Sequence, residues 1–178
     1  MKDLGKKKLC LDLKIEHLVD GIFVHQSAYI EKVLKRFYMD GAHPLSTPMV
    51  VRSLDMNKDS FRPQEKNEEL FSPEVPYLSA IVALMYLVNT TRPDITFSVN
   101  VLARYSSTPT MRHWNGIKHI LRHLKGTTNM CLFYENDCNL DLVGYADAGY
   151  LSDSDRARSQ TGYVFTCGGT AISWRSTK

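Results

Sequence analysis

Apolar side chains change from helical to strand spacing near Gly126, and that change excludes any architecture made of helices alone or strands alone. Residues 77–89 are almost entirely apolar, too uniform for a surface helix, so a helix buried on most sides is predicted. Arg92-Pro93-Asp94 breaks it, because proline disfavours helix in the residue before it and suits the first turn of a new one. A second helix runs to about Tyr105. A third follows, capped by Thr110, with Trp114, Ile117, Leu121 and Leu124 as one stripe and Gly126 as its end. Beyond Thr127 residues 130–134, 140–146, 161–167 and 171–176 read as short strands separated by Asn, Asp, Ser and Gly. The fold class is therefore α+β, a small helical bundle followed by antiparallel sheet.

The N-terminal part forms a separate unit. Leu9, Leu11, Leu13 and Ile15 alternate with polar residues over 8–17, the pattern of one half-buried strand. Asp20-Gly21 supplies a hairpin turn into a second strand at 22–25. Ser27 caps a helix carrying Ile30, Val33, Leu34 and Phe37, closed by Gly41 and Pro44. Between His43 and Pro76 lie five of the seven prolines and six acids, without periodicity, so an extended linker is predicted. Four regions result: 1–42, a strand-hairpin and helix unit; 43–76, the linker; 77–126, the helical region; and 127–178, the sheet.

Composition narrows the function classes. At 43% apolar and 23% charged residues the chain has the make-up of a globular protein with a core. The longest apolar run, residues 80–88, is far short of the roughly 20 that a membrane span needs, so no membrane insertion is expected. Cys10, Cys131, Cys138 and Cys167 form no C-x-x-C pair, which argues against a zinc ribbon or disulfide framework and for free thiols in a reducing compartment. No glycine-rich phosphate loop and no G-x-S-x-G elbow occurs. The net charge of +3 is sorted along the chain: residues 95–134 hold five Lys or Arg and no acid, whereas 135–155 hold six acids and no Lys or Arg. A basic surface beside an acidic one is expected.

Each candidate for chemistry has a plain reading beside a functional one. Asp147 follows a strand and is either a turn residue or a carboxylate aimed at a metal; alone it completes only part of a magnesium shell. Asp153 and Asp155 read as solvated turn residues. Lys118, Arg122 and Lys125 fall at i, i+4 and i+7 on the third helix, opposite the Trp114 stripe, and are either its wet face or a row that tracks a phosphate backbone. His119 and His123 have zinc-compatible spacing, but no Glu sits beside His119 and no third ligand is evident. Cys167 is read as a strand residue, buried, rather than a nucleophile.

Longer motifs carry a resemblance. Residues 20–30 (Asp-Gly-Ile-Phe-Val-His-Gln-Ser-Ala-Tyr-Ile) with Pro44-Leu-Ser-Thr-Pro48, residues 77–87, Thr91-Arg-Pro-Asp-Ile95, His113-Trp114, Leu121-Arg-His-Leu-Lys-Gly-Thr127 and Gly144-Tyr-Ala-Asp-Ala148 through Gly162-Tyr-Val-Phe165 resemble the polyprotein of copia-type retrotransposons. The resemblance covers nearly the whole chain, from the end of reverse transcriptase through the connecting region into ribonuclease H. It implies a thumb-like unit at 1–42 and an incomplete RNase H-like sheet at 127–178. Asp147 matches the first metal-binding aspartate of that nuclease. Gly149 stands where the family has a second aspartate, and Ala157 replaces a basic residue before Arg158-Ser159. The polymerase's paired aspartates are expected upstream of Met1, and the nuclease's glutamate helix and later aspartate beyond Lys178.

From this the expectation is a catalytically inactive piece of a retrotransposon polyprotein, not an enzyme by itself, holding no cofactor where the intact enzyme uses Mg2+. Its expected partner is an RNA:DNA hybrid or other nucleic acid, met through Lys118, Arg122 and Lys125 inside the cell, in cytoplasm or nucleus. One alternative is an interaction protein that binds a host or cellular protein, like the copia-related secreted effectors of plant-pathogenic oomycetes delivered into host cells. Arg52-Ser-Leu-Asp55 reaches three of the four letters of an R-x-L-R motif. Another is an RNase H completed in trans.

Overall fold

The computed structural model describes residues 8–50, 59, 61–62, 65, 68, 76–136, 140–153 and 158–177. Their order is β1 (Leu9–Cys10), β2 (Leu13–His17), β3 (Gly21–His25), α1 (Ser27–Arg36), α2 (Tyr77–Val88), a 3-10 turn (Pro93–Ile95), α3 (Thr96–Ala103), α4 (Met111–Gly126), β4 (Leu132–Glu135), β5 (Leu142–Asp153), β6 (Arg158–Cys167) and β7 (Thr170–Thr177). The α+β class is as expected, with two antiparallel sheets ordered β1-β2-β3-β4 and β5-β6-β7.

The helices share one core. Apolar positions at helical spacing turn Ile30, Val33 and Leu34 of α1 and Ile117, Ile120, Leu121 and Leu124 of α4 onto the nearly all-apolar α2 and onto α3, where Leu84, Leu87, Val99 and Leu102 are fully enclosed. Gly116 makes room: a β-carbon there would meet Phe61 at 2.8 Å and Leu102 at 3.0 Å. Phe61 is thus a core residue, docked on the helices, while most of the expected linker at 43–76 lies outside the described residues. Thr110 caps α4 as predicted, but its reciprocal partner is His113, whose Nδ1 accepts from the Thr110 amide at 3.1 Å.

Two strand readings are corrected. The run 8–17 is two strands, because Leu11 and Asp12 take left-handed backbone angles, φ 50 and 58, and fold β1 back onto β2. A leucine and an aspartate gave no glycine signal for that turn. The strand beginning at Leu132 lies beyond the boundary at residue 127, yet it pairs with β3 and not with the C-terminal strands: Ile22 faces Tyr134 and Phe23 faces Phe133. Gly21 permits the approach, since a β-carbon there would fall 2.4 Å from Tyr134 O.

The second sheet meets the helices through directed polar contacts. The Trp174 indole N–H donates to Val88 O at 2.7 Å, and Arg104 Nη2 donates to Gln160 Oε1 at 2.7 Å. Among the described residues no helix is long and apolar enough to cross a membrane.

Candidate functional site

Residues two apart on a strand share a face, and the register therefore assembles one surface from three strands. Asp147 lies opposite Gly162, which lies opposite Ser176; Tyr145 lies opposite Val164, which lies opposite Trp174. This is the face turned to the helices. With Pro93, Thr96 and Phe97 it encloses a groove of about 330 Å³, lined also by Gln160. Asp147 is thus a mid-strand residue and not the strand-end residue expected, because β5 continues to Asp153. Gln160 is held at both ends, accepting from Arg104 and donating to Ser176 Oγ at 2.6 Å.

Asp147 is exposed, and among the described residues it is the one carboxylate lining the groove. A two-magnesium centre needs several carboxylates converging on ions roughly 4 Å apart. Among the described residues no three His, Cys, Asp or Glu side chains gather in that way, and residue 149 is glycine. The described residues do not fit such a centre. Asp153 ends β5 opposite Arg158, and Asp155 lies outside the described residues.

The basic row has work of its own. Lys118 is beside the Trp114 stripe, not opposite it: its ammonium sits 6.0 Å from the Trp114 ring centroid. Arg122 Nε donates to His43 O at 2.7 Å, and Lys125 Nζ donates to Asp40 O. All three are half-buried. His119 Nε2 and Thr47 O are 3.0 Å apart, His123 Nδ1 and Leu45 O 3.3 Å, and the Leu45 amide donates to Arg122 O at 3.2 Å. Residues 40–47 are thereby laid along α4. Burial pushes the His119 imidazole below its ordinary range, against the opposing pull of the Thr47 carbonyl. Both histidines read as zinc candidates are taken up by this strap.

Sequence reasoning treated Arg92-Pro93-Asp94 only as a helix break, and missed its second task. Arg92, 1% exposed, forms a two-point pair with Asp94 at 2.9 and 2.7 Å and donates to Thr127 O and Thr127 Oγ1. Asp94 also meets His123 Nε2 at 3.0 Å. Burial pushes the Asp94 carboxyl up, but the Arg92 and His123 contacts outweigh it and leave it below the usual range. The cluster ties the α2–α3 corner to the end of α4. An arginine between two apolar helices was the available signal, since so long a cation is buried only with a partner. Cys167, expected to be buried, is half-buried with its thiol 3.7 Å from Leu140 O.

A mixed α+β fold with two antiparallel sheets, a groove between the second sheet and the helices, and a strapped helical region defines the class, and sequence comparison supplies the family. The chain is 42% identical over 178 residues to the retrovirus-related Pol polyprotein from transposon TNT 1-94 of Nicotiana tabacum, covering 99% of this chain and 13% of that protein. It is 31% identical over 179 residues to a putative transposon Ty5-1 protein of Saccharomyces cerevisiae, covering 56% of it. Secreted RxLR effector protein 161 of Plasmopara viticola is 43% identical over 104 residues, 58% of this chain and 73% of that one. No family model and no solved structure matches. The chain belongs to the retrovirus-related Pol polyproteins of copia-type transposons. It spans about an eighth of the tobacco relative.

Proposed function

We propose that this chain is the part of a copia-type Pol polyprotein that joins reverse transcriptase to ribonuclease H, and that by itself it does not cut nucleic acid. The observation that carries this reading is Asp147, lining its groove without a second carboxylate among the described residues. A lone exposed carboxylate holds Mg2+ too weakly to position an attacking water. What is left is weak binding of RNA:DNA hybrid by Lys118, Arg122 and Lys125, inside the cell, in cytoplasm or nucleus, with no cofactor of its own. Arg122 and Lys125 are partly spent on the 40–47 strap, which supports a modest affinity.

The test is a cleavage and binding assay with the 178-residue protein. Three phosphate contacts give a salt slope near −2.7, so affinity for hybrid falls roughly 40-fold between about 50 and 200 mM salt. No multiple-turnover cleavage appears with Mg2+. Turnover that Asp147→Asn abolishes overturns the reading, and cleavage only after adding a second chain favours completion in trans.

The extent of the match to the RxLR effector favours a second reading, a repurposed protein that binds a host protein after secretion into a plant cell. A host phenotype on expressing the chain in plant tissue, retained in the Lys118, Arg122 and Lys125 triple alanine variant, supports this reading over the first. Absence of any phenotype removes it.

A further inference from the structure

Helix α1 ends in a turn that glycine usually makes and that this chain makes with tyrosine. The Tyr38 amide donates to Lys35 O at 3.1 Å and the Met39 amide to Leu34 O at 2.8 Å, the paired bonds of a Schellman close. Tyr38 holds its left-handed position, at φ 55. A side chain there strains the backbone where glycine does not, and the chain's glycine comes only at position 41. Packing does not offset that strain: Leu34 and Met39 enter the core, whereas Tyr38 is 91% exposed. A bulky residue held in a strained turn with its ring given to solvent points to a ligand.

The basic row of α4 reaches this turn. Lys35 and Arg36 are exposed in the last turn of α1. Arg36 lies 5.6 Å from the Phe37 ring centroid, Phe37 meets Trp114 edge-on at 6.4 Å, and Lys118 lies 6.0 Å from the Trp114 centroid. Beyond Tyr38, Lys125 Nζ donates to Asp40 O and Arg122 Nε to His43 O. Five cations thus share a surface with Tyr38, against the opposing carboxylate of Asp40. Cations track a phosphate backbone, and an exposed ring takes the face of a base. A duplex keeps its bases stacked on one another; an unpaired nucleotide can turn its base onto the ring.

We infer that Tyr38 is a stacking platform for an unpaired base, and that the basic surface joined to it takes single-stranded nucleic acid as well as hybrid. The inference rests on the first reading above and deepens it, naming a second form of nucleic acid and the residue that selects it.

The test is fluorescence anisotropy with the 178-residue protein at about 50 mM salt. Its probes are end-labelled oligothymidylate of about 12 nucleotides, the abasic chain of the same length and an RNA:DNA hybrid of that length. Oligothymidylate is expected to bind roughly 5- to 150-fold more tightly than the abasic chain, the range for one base stacked on an aromatic ring. Tyr38→Gly abolishes that preference, leaves hybrid affinity unchanged and does not lower the urea midpoint, because glycine relieves the left-handed turn. Tyr38→Asn, which also tolerates that backbone, acts the same way, and Tyr38→Phe keeps the preference. Equal affinity for oligothymidylate and the abasic chain, or a preference that both Tyr38→Gly and Tyr38→Asn retain, overturns the inference and spares the first reading where hybrid still binds. Failure of all three probes to bind overturns both.

Discussion

Every large apolar side chain buried among the described residues lies between Ile30 and Leu132, whereas the described side chains that β5, β6 and β7 bury are the polar Gln160 and Ser176. The helical body and the three-stranded sheet are therefore stabilised by different physics. Dispersion and solvent exclusion hold the body, tolerate many partners and set no register. The Trp174–Val88 and Arg104–Gln160 contacts that seat the sheet are few and directional, so they fix its position and add little to its stability. A sheet seated in this way follows the body in unfolding.

The contrast is broken or sharpened by measurement. The largest effect is expected from Arg92→Ala, which leaves Asp94 and Thr127 without their buried cation and lowers stability by about 3–5 kcal/mol in urea titration. An effect below about 1 kcal/mol would mean the cluster does not hold the α2–α3 corner to α4. Next, Leu121→Ala in the fully enclosed stripe of α4 is expected to cost about 2–5 kcal/mol. Leu142→Ala in β5 stays within about 0.5 kcal/mol. Similar costs at these two positions would dissolve the distinction between the regions.

An effect smaller than that of Leu121→Ala comes from Trp174→Phe, which removes the indole donor to Val88 O and lowers stability by roughly 0.5–1.5 kcal/mol. Hydrogen exchange in β6 and β7 is expected to quicken more than in α4, and uniform acceleration would show sheet and body opening as one unit. The smallest effect is a pH dependence. Burial pushes the His113 imidazole below its ordinary range, its Nδ1 accepts from the Thr110 amide, and its Nε2 lies 3.1 Å from Arg62 O. The ring is neutral in the fold, so its contribution is complete above about pH 6.5 and is lost as pH falls through the lower folded value. Glu68, held down to about 2 by the Arg112 guanidinium with burial opposing, contributes above about pH 4.3 and loses that contribution as pH falls toward 2. Urea midpoints against pH should show two stages, with the upper one absent in His113→Gln.

Much of the body was legible because its helices obey local rules. The apolar run at 77–89, the Arg92-Pro93-Asp94 break, the Thr110 cap and the Gly126 stop each lie within a few residues of what they control, and α2, the 3-10 turn and α4 begin or end there. The turn at Leu11-Asp12 was not legible, because alternation over 8–17 looks the same whether the strand is single or folded back. The pairing of β4 with β3 was hidden for another reason: it joins residues far apart in sequence, and periodicity says nothing about which strand lies beside which. At the candidate site, Asp147 and its exposure were readable, but the groove that it lines depends on a register across β5, β6 and β7. The basic row was read as either the wet face of α4 or a row that tracks a phosphate backbone, and neither reading showed that Arg122 and Lys125 meet the carbonyls of His43 and Asp40, because those partners come from a distant segment of the chain.

The β3–β4 pairing also sets an order of events during synthesis. Val24 waits for Leu132, about 110 residues downstream, and at the ribosome's pace of about 5–20 residues per second that is a delay of roughly 5–20 s. During that interval the first hairpin stands with an unclaimed margin, and only after α4 has emerged can the chain close its N-terminal sheet.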